Sequence, residues 1–170
     1  LLKKTCDDLI TIIIPRHINR SNKIKKICDK FNLNSQVLND GDLILKKKEV
    51  IIVNSFGVVP EFLKYSRSVF MGKSIDKKFK NIGGQNPIEA AKLGCKVYHG
   101  PFVDNFKEVY QFLNLHKISR KVNNEKDLSK ELIIDFRNPK INKNKKIKIV
   151  NDLGKKILQK SINEINKISL

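Results

Sequence analysis

The chain has 170 residues, of which 40% are apolar and 31% charged, and the excess of Lys and Arg over Asp and Glu gives a formal net charge of +18. This apolar share excludes a disordered polycation, and a chain of this length can bury a core of its own, which suits one domain or one half of a two-domain enzyme. No uncharged apolar run approaches the roughly 20 residues that a spanning helix needs, so no membrane-crossing segment is predicted.

Short β-branched runs alternate with helical patterns along the chain. We predict six strands, which run from Leu9 to Ile14, Gln36 to Leu38, Val50 to Val53, Ser68 to Met71, Lys96 to His99 and Ile118 to Val122. The predicted helices run from an N-cap at Ser21 to Phe31, from Val58 to Tyr65, from Asn86-Pro87 to Gly94, from Phe106 to Leu113, and from Glu125, after a cap at Asn123 or Asn124, to Ile134. This alternation predicts an α/β fold with a doubly wound parallel sheet of about six strands.

The C-terminal segment has a different composition. From Lys140 onward nine Lys face only Asp152 and Glu164, a net charge of +7, while apolar residues from Val150 to Ile168 recur at helical spacing. The pattern predicts a terminal amphipathic helix, and packing on the sheet is favoured over lying on a membrane surface. We therefore expect a domain of residues 1–138 and a basic helical segment of residues 139–170 that packs on the domain or crosses from it.

The N-terminus and the cysteines bear on origin and compartment. The chain has no initiator Met and no signal-peptide pattern, so we expect a piece of a longer protein. Cys6, Cys28 and Cys95 are odd in number and far apart, which favours neither zinc nor disulfides and fits a reducing cytoplasm. Cys95 and His99 share a strand face, but we expect core packing there rather than a nucleophile pair.

Polar clusters follow the predicted strands, and doubly wound sheets bind ligands at that end. Pro15-Arg16-His17, with Arg20, follows the first strand, where Arg16 can fork onto a phosphate; a solvated loop is the alternative. Asn54-Ser55-Phe56-Gly57 follows the third strand and either lets backbone approach a ligand or simply turns. Gly72-Lys73-Ser74 follows the fourth, but it lacks the upstream Gly and the following helix of a nucleotide-triphosphate loop, so that interpretation is rejected.

The most informative segment is Gly83-Gly84-Gln85-Asn86-Pro87-Ile88-Glu89. The two glycines allow a tight turn, and a helix that starts after them directs unpaired N–H groups at an anionic ligand. Glu89 suits a ribose diol, as an acidic residue does in other nucleotide-binding α/β folds. Equally, Glu89 can close a capping box with Asn86.

Taken in chain order, these clusters resemble one family, the 3-deoxy-D-manno-octulosonic acid (Kdo) transferases that build the inner core of lipopolysaccharide. The most specific stretch is Gly83 to Ala90, with Lys92-Leu93-Gly94 after it. The other matching pieces are Pro15-Arg16-His17 with Arg20, Gly57, Val69 to Gly72 with Ser74, Gly100-Pro101 and Asn105-Phe106. The resemblance covers roughly Leu9 to Leu113.

By this resemblance, the chain is the C-terminal, donor-binding half of a GT-B glycosyltransferase, with a Rossmann-like CMP-sugar-binding domain over residues 1–138. The implied donor is CMP-Kdo and the implied acceptor a lipid A precursor, at the cytoplasmic face of the bacterial inner membrane. The expected partners are the N-terminal half of the same enzyme and the anionic membrane surface. The family's general base is a Glu of that N-terminal half, so we expect no catalytic residue here and no activity from the fragment alone. No metal and no cofactor are predicted.

The resemblance also implies a set of site residues. Those carried over as CMP contacts are Pro15, Arg16, His17, Phe56, Gly57, Val58, Asn86, Pro87, Ile88 and Glu89. The supporting loop residues are Ser55, Gly72, Ser74, Gly83, Gly84 and Asn105. Because the clusters end strands of one predicted sheet, we expect CMP to bind in a cleft lined by Arg16, Gly57 and Asn86.

Three positions depart from the family pattern. Asn54 stands for an acidic residue, Val58 for a Glu, and Lys73 for one of two paired glycines, in a loop from Lys73 to Ile82 that is longer and more basic than usual. These changes bear on donor affinity and specificity rather than on the fold. An inactive paralogue and a basic nucleic-acid-binding module are the alternatives, although the Lys-rich tail has no aromatic residue to stack on bases.

Overall fold

Two three-stranded parallel sheets organise the chain, one in each of two compact units, Leu1–Phe62 (unit 1) and Leu63–Leu170 (unit 2). The structure is a computed structural model that describes residues 8–138 and 143–168. Cys6 and the predicted start of the basic tail at Lys140 lie outside the described residues. The predicted boundary between 138 and 139 stays a prediction.

Unit 1 is built around a fully buried central strand. Its strands are β1 (Thr11–Ile13), β2 (Ser35–Leu38) and β3 (Val50–Val53), in the order β1-β3-β2, with helix α1 (Ser21–Lys30) between the first two. Ile51 and Val53 pack with Leu38 on one face of β3, whereas Val50 and Ile52 pack with Cys28 of α1 on the other. Burial on both faces explains why β3 reads as a continuous apolar run rather than an alternating one.

In unit 1 the first predicted strand is shorter than expected, and the predicted N-cap at Ser21 is wrong. Only Thr11–Ile13 of the first predicted strand pairs, and Thr11 is exposed, because β1 is an edge strand of its sheet. Ser21 is not an N-cap, since a 3-10 turn at Ile18–Arg20 runs directly into α1 and gives Ser21 helical angles. Its hydroxyl is buried without a hydrogen-bond partner among the described residues.

Unit 2 repeats the strand and helix alternation. Its strands are β4 (Ser68–Phe70), β5 (Lys96–His99) and β6 (Ser119–Lys121), in the order β4-β5-β6. Helix α2 (Val59–Tyr65) spans the unit boundary, and α3 (Ile88–Lys92), α4 (Lys107–Leu115), α5 (Glu125–Arg137) and α6 (Lys143–Ile168) follow. The cap of α5 is Asn124, whose side chain accepts from two backbone N–H groups.

The α/β class, the parallel pairing and the six strands are confirmed, but the strands form two sheets rather than one. Every ladder among the described residues joins strands of the same unit. Alternating strand and helix patterns are local signals, and they do not determine which strand edges pair. The sheet count was therefore the part of the architecture that the pattern could not specify.

The predicted terminal amphipathic helix is confirmed as α6. Its first half packs on α3, with Val150 fully buried and Ile147 lying against the position of Gly94. Gly94 ends α3 with a positive φ of 79°, and the N–H of Cys95 returns to the carbonyl of Ala90. In its second half α6 exposes an apolar stripe of Ile157, Leu158, Ile162 and Ile165.

Two further expectations concern the core and the membrane. Cys95 and His99 are both buried, as predicted, and burial raises the pKa of the Cys95 thiol, so it stays protonated. No helix among the described residues combines the length and apolar character that crossing a bilayer requires.

Candidate functional site

Unit 1 brings two predicted clusters to one edge of its sheet. β1 and β3 are parallel neighbours with Ile13 opposite Ile52, so the segments after them leave from the same edge. Pro15 is half-buried, whereas Arg16 and His17 are exposed. Their side chains make no hydrogen bond or ion pair with other described residues, so both remain available to a ligand.

The second cluster of unit 1 forms a turn at the same edge. Gly57 has a φ of 77° and open space where a Cβ would be, so backbone conformation rather than crowding favours glycine there. Phe56 is exposed, Ser55 is half-buried, and Val58 packs with the core beneath Ile51 and Val53. Pro15 to His17 and Ser55 to Val58 therefore leave the sheet of unit 1 at the same edge.

Asn54, which replaces an acidic residue in the predicted pattern, has a structural role. Its backbone N–H donates to the carbonyl of Leu38 at 2.8 Å, and its side-chain amide donates to Asn39 Oδ1 at 2.9 Å. The amide therefore ties the end of β3 to the end of β2. An acidic side chain has no N–H with which to make that bond.

In unit 2, Ser74 locks the loops after β4 and β5 together. It is fully buried, and its Oγ donates to the carbonyl of Met71 at 2.6 Å and accepts from Gly100 N–H at 2.8 Å. The Ser74 carbonyl accepts from Phe102 N–H at 2.8 Å. A Cβ on Gly100 would overlap the Ser74 backbone. Only glycine at position 100 therefore allows the two loops to approach this closely.

Asn105 holds the glycine pair of the most informative segment. Its amide donates to the carbonyl of Gly84 at 2.8 Å, and a Cβ on Gly83 would overlap the Asn105 side chain. A Cβ on Gly84 would lie 2.9 Å from Val103 Cγ1. The predicted supporting residues Ser74, Gly83, Gly84 and Asn105 thus lie together, while Gly72 sits in the turn after β4 with open space around it.

The structure resolves the two interpretations of Asn86 and Glu89 in part. Asn86 Oδ1 accepts from Ile88 N–H at 3.0 Å, and the exposed Glu89 carboxylate makes no hydrogen bond or ion pair with other described residues. The capping box is therefore not formed. Helix α3 begins at Ile88, with the buried Pro87 rather than Asn86 as the residue before it, and has only five residues. The Glu89 carboxylate is open to a ligand.

Sequence reasoning missed a buried network behind these loops. His99 Nδ1 bonds the carbonyl of Gly100 at 2.8 Å, its Nε2 lies 3.4 Å from the Asn114 amide, and its ring packs on Tyr110 at 4.3 Å between centroids. The Tyr110 hydroxyl donates to the carbonyl of Gln85 at 2.9 Å. Burial lowers the pKa of His99, so the ring is neutral and Nδ1 is the donor to the carbonyl.

No sequence signal identified that network, because Tyr110 and His99 occupy positions that read as ordinary core. A buried Tyr hydroxyl needs a hydrogen-bond partner, however, and Tyr110 lies one helix after the Gly-Gly segment. The need of the Tyr110 hydroxyl for a partner was the one sequence feature that could have indicated this network. Its consequence is that the polypeptide before Asn86 is fixed from below by a core residue.

The basic loop from Lys73 to Ile82 carries one strained residue. Lys73, where the family pattern has a glycine, has a φ of 63°, a left-handed conformation that glycine adopts without strain. The ammonium groups of Lys73 and Lys78 lie 5.7 and 5.0 Å from the centroid of the Phe79 ring. Hydrogen bonds from Lys78 lower the pKa of Asp76, which caps the short turn at Lys77–Phe79.

Within residues 8–138 and 143–168, no three His, Cys, Asp or Glu side chains cluster closely enough to hold a metal ion. The predicted contacts fall in two groups, one in each unit. Unit 1 contains Pro15, Arg16, His17, Phe56, Gly57 and Val58, and unit 2 contains Asn86, Pro87, Ile88 and Glu89.

Comparison with known proteins gives the family context. No family model matches the chain. It is 28% identical over 131 residues to the 3-deoxy-D-manno-octulosonic acid transferase of Aquifex aeolicus (strain VF5), which covers 77% of this chain and 35% of that protein. The enzyme of the same name from Rickettsia felis is also 28% identical over 131 residues, 27% of its length. The chain thus spans about a third or less of these curated relatives.

A solved structure shows the same fold. The crystal structure of the C-terminal CMP-Kdo binding domain of WaaA from Acinetobacter baumannii matches with a TM-score of 0.75 at 19% identity, over 88% of this chain and 76% of that one. The resemblance predicted from the sequence is therefore confirmed: this chain is a sequence relative of the Kdo transferases and has the fold of a GT-B C-terminal domain.

Proposed function

We propose that this chain is the donor-binding half of a Kdo transferase and that it binds the CMP group of CMP-Kdo. The observation that carries the proposal is the Gly83 to Glu89 segment. Ser74, Asn105 and Tyr110 fix its surroundings from below, yet Asn86 and Glu89 remain exposed. A rigid backbone that presents exposed polar side chains, one of them the unpaired Glu89 carboxylate, is the arrangement that a nucleotide site requires.

The candidate residues of each unit, taken separately, suit one chemical part of the donor. The Arg16 guanidinium binds the phosphate, with His17 beside it, and backbone N–H groups of the Phe56 to Val58 turn add further donors. The two carboxylate oxygens of Glu89 accept from the ribose diol. Positive charge on the phosphate also stabilises CMP as a leaving group when the glycosidic bond breaks.

The whole reaction needs partners outside this chain. We propose transfer of Kdo to a lipid A precursor in lipopolysaccharide core synthesis, with the general base and the acceptor site in an N-terminal half. The aligned 131 residues make up only 35% and 27% of these two relatives, which leaves ample chain for such a half. The exposed stripe of Ile157, Leu158, Ile162 and Ile165 on α6 is an apolar surface for it to cover.

The proposed location is the cytoplasmic face of the bacterial inner membrane. The net charge of +18 attracts the chain to anionic lipid, and the lysines of α6 and of the Lys73 to Ile82 loop add to that attraction. That attraction is electrostatic, so we expect rising salt to weaken it.

Titration calorimetry of the purified chain with CMP tests the proposal. We expect CMP to bind, and Arg16→Ala to weaken it by about 1.5–3 kcal/mol, the usual worth of a hydrogen bond to a charged group. Arg137→Ala, which removes an equally exposed guanidinium at the end of α5, is the matched control and leaves the affinity unchanged.

Two results would count against the proposal. One is equal CMP affinity in the two Arg variants, and the other is tighter binding of a duplex oligonucleotide than of CMP at physiological salt, which favours the nucleic-acid alternative. With CMP-Kdo and a lipid A precursor the fragment alone forms no product, because a positioned base within hydrogen-bond reach is missing. Joining the upstream half restores product.

A further inference from the structure

The loop between β2 and β3 exposes three consecutive aliphatic side chains. Leu43, Ile44 and Leu45 have 83%, 52% and 56% of their surface in solvent. Single exposed aliphatic residues are ordinary on protein surfaces, but three adjacent ones form a patch that normally contacts another surface. None of the sequence clusters described above includes these residues.

The loop is held in place rather than loosely extended. The Gln36 amide of edge strand β2 donates to the carbonyl of Leu43 at 2.8 Å and accepts from Leu45 N–H at 2.9 Å. The Asn34 amide donates to the carbonyl of Lys47 at 3.0 Å. The backbone on both sides of Ile44 is therefore fixed, and the aliphatic side chains point away from a rigid support.

The charges of the loop are separated along it. Lys46, Lys47 and Lys48 follow the aliphatic residues directly, and the Lys48 ammonium bonds Asn34 Oδ1 at 2.9 Å. Of the acidic residues, Asp42 accepts from Asn39 N–H at 2.8 Å and Glu49 accepts from Asn34 N–H at 2.8 Å, while Asp40 is exposed in the turn between Asn39 and Asp42. Two carboxylates are thus engaged by backbone, and Lys46 and Lys47 are exposed beside the aliphatic residues.

We propose that Leu43, Ile44 and Leu45 insert into the interface of an anionic lipid bilayer while Lys46 and Lys47 contact its headgroups. Aliphatic side chains next to exposed lysines are complementary to a bilayer surface, which has an apolar acyl-chain region beneath anionic headgroups. A protein interface of standard size needs about 800 Å² on each side, far more than three side chains on one loop supply. The net charge of +18 adds long-range attraction to the same surface.

The inference names the contact point of the proposed membrane partner and rests on that part of the proposed function alone. It makes no use of CMP. Failure of nucleotide binding and failure of lipid insertion are therefore separate results, because one is measured without vesicles and the other without nucleotide.

Tryptophan fluorescence gives a direct test, since the chain contains no Trp. Ile44→Trp places one reporter on the loop, and Leu158→Trp places a matched reporter on the exposed stripe of α6. On vesicles of equal parts phosphatidylcholine and phosphatidylglycerol, we expect a blue shift and quenching by brominated acyl chains for the loop reporter. Pure phosphatidylcholine vesicles should give neither change.

Sedimentation with the same vesicles measures the contribution of the loop. Changing Leu43, Ile44 and Leu45 together to Ser removes exposed groups only, so the fold is retained, and we expect vesicle binding to weaken about tenfold or more. The control changes Ile157, Leu158 and Ile162 to Ser and leaves binding within about twofold.

Three outcomes would overturn the proposal. In the first, the α6 variant loses binding and the loop variant keeps it, which places insertion on the helix. In the second, the loop variant still binds vesicles in a salt-sensitive way and the Ile44→Trp reporter shows no blue shift. Binding would then come from electrostatic attraction of the lysines alone. In the third, analytical ultracentrifugation shows a dimer that the loop substitutions dissociate, which makes a second copy the occupant.

Discussion

The two units prepare their candidate site residues in opposite ways. In unit 2, buried hydrogen bonds from Ser74, Asn105 and Tyr110 fix the loops around Asn86. In unit 1, Arg16 and His17 are exposed and their side chains make no such bonds with the rest of the described chain. Buried hydrogen bonds thus hold the loops of unit 2 in place, whereas the Arg16 and His17 side chains would lose conformational entropy if a ligand ordered them.

This comparison separates effects on stability from effects on affinity. Substitutions in the loop network of unit 2 should lower the free energy of unfolding first and CMP affinity as a consequence. Substitutions of exposed residues such as Arg16 should lower CMP affinity alone.

Gly100→Ala should have the largest effect. Its Cβ would overlap the Ser74 backbone, which cannot move without breaking bonds to Met71 and Phe102. We expect a loss of about 3 kcal/mol in the free energy of unfolding, on the scale of severe overpacking. Urea denaturation measures it.

Gly72→Ala is the matched control, because Gly72 lies in the turn after β4 with no atom near its Cβ position and no positive φ. It should change stability by less than about 0.5 kcal/mol, as surface substitutions usually do. Equal losses in the two variants would mean that the loops of unit 2 are less rigid than their contacts indicate.

Ser74→Ala should have the next largest effect. It leaves the buried Gly100 N–H without its acceptor and removes the bond to the Met71 carbonyl. The expected loss is about 1–3 kcal/mol, the cost of an unsatisfied buried group. In unit 1, Ser55→Ala removes a half-buried hydroxyl and serves as the comparison, with almost no expected change in melting temperature.

The strand and helix pattern allowed much of this fold to be predicted. Val50 to Val53 matches β3, because an apolar run bounded by polar residues is a strong local signal, and Lys96 to His99 matches β5. The prediction of an N-cap at Ser21 was wrong because the 3-10 turn before it leads directly into the helix. Residue propensities do not indicate such a turn. The predicted number of sheets was wrong for a different reason. Which strands pair depends on contacts between strand edges that are far apart in the sequence.

The candidate site shows the same limit. Residues with a distinctive chemistry, such as Arg16, Asn86 and Glu89, stand out in a sequence when they follow predicted strands. Tyr110 and His99 do not, because their role depends on which carbonyl groups the fold places beside them. The role of a core polar residue that hydrogen-bonds to a backbone carbonyl can be recognised only once the tertiary contacts are known.

Glu89→Gln should have a smaller effect, confined to affinity. The capping box is not formed and the carboxylate has no partner among the described residues, so the melting temperature should hardly move. A neutral amide offers one acceptor in place of two, and we expect CMP affinity to fall by about 1 kcal/mol. A lower melting temperature at unchanged affinity would instead show a structural role for Glu89 at the start of α3.

Lys73→Gly should have the smallest effect and the opposite sign. The left-handed conformation at φ 63° costs a lysine about 1–2 kcal/mol, and the greater freedom of glycine in the unfolded chain offsets about 0.5–1 kcal/mol of that. Losing the Lys73 contact with Phe79 removes about 0.5 kcal/mol more, although Lys78 still lies over the ring.

With mid-range values for these three contributions, the net expectation for Lys73→Gly is a gain in stability of about 0.3 kcal/mol. Lys117→Gly sharpens the measurement, because Lys117 has a φ of 56° in the same unit with no aromatic ring contact described. It should gain about 0.5 kcal/mol more than Lys73→Gly, since no contact with a ring is lost. If Lys73→Gly instead lowers the melting temperature, the lysine side chain stabilises the loop by more than its backbone strain costs. The basic loop would then belong with the preorganised part of unit 2 rather than with its flexible surface.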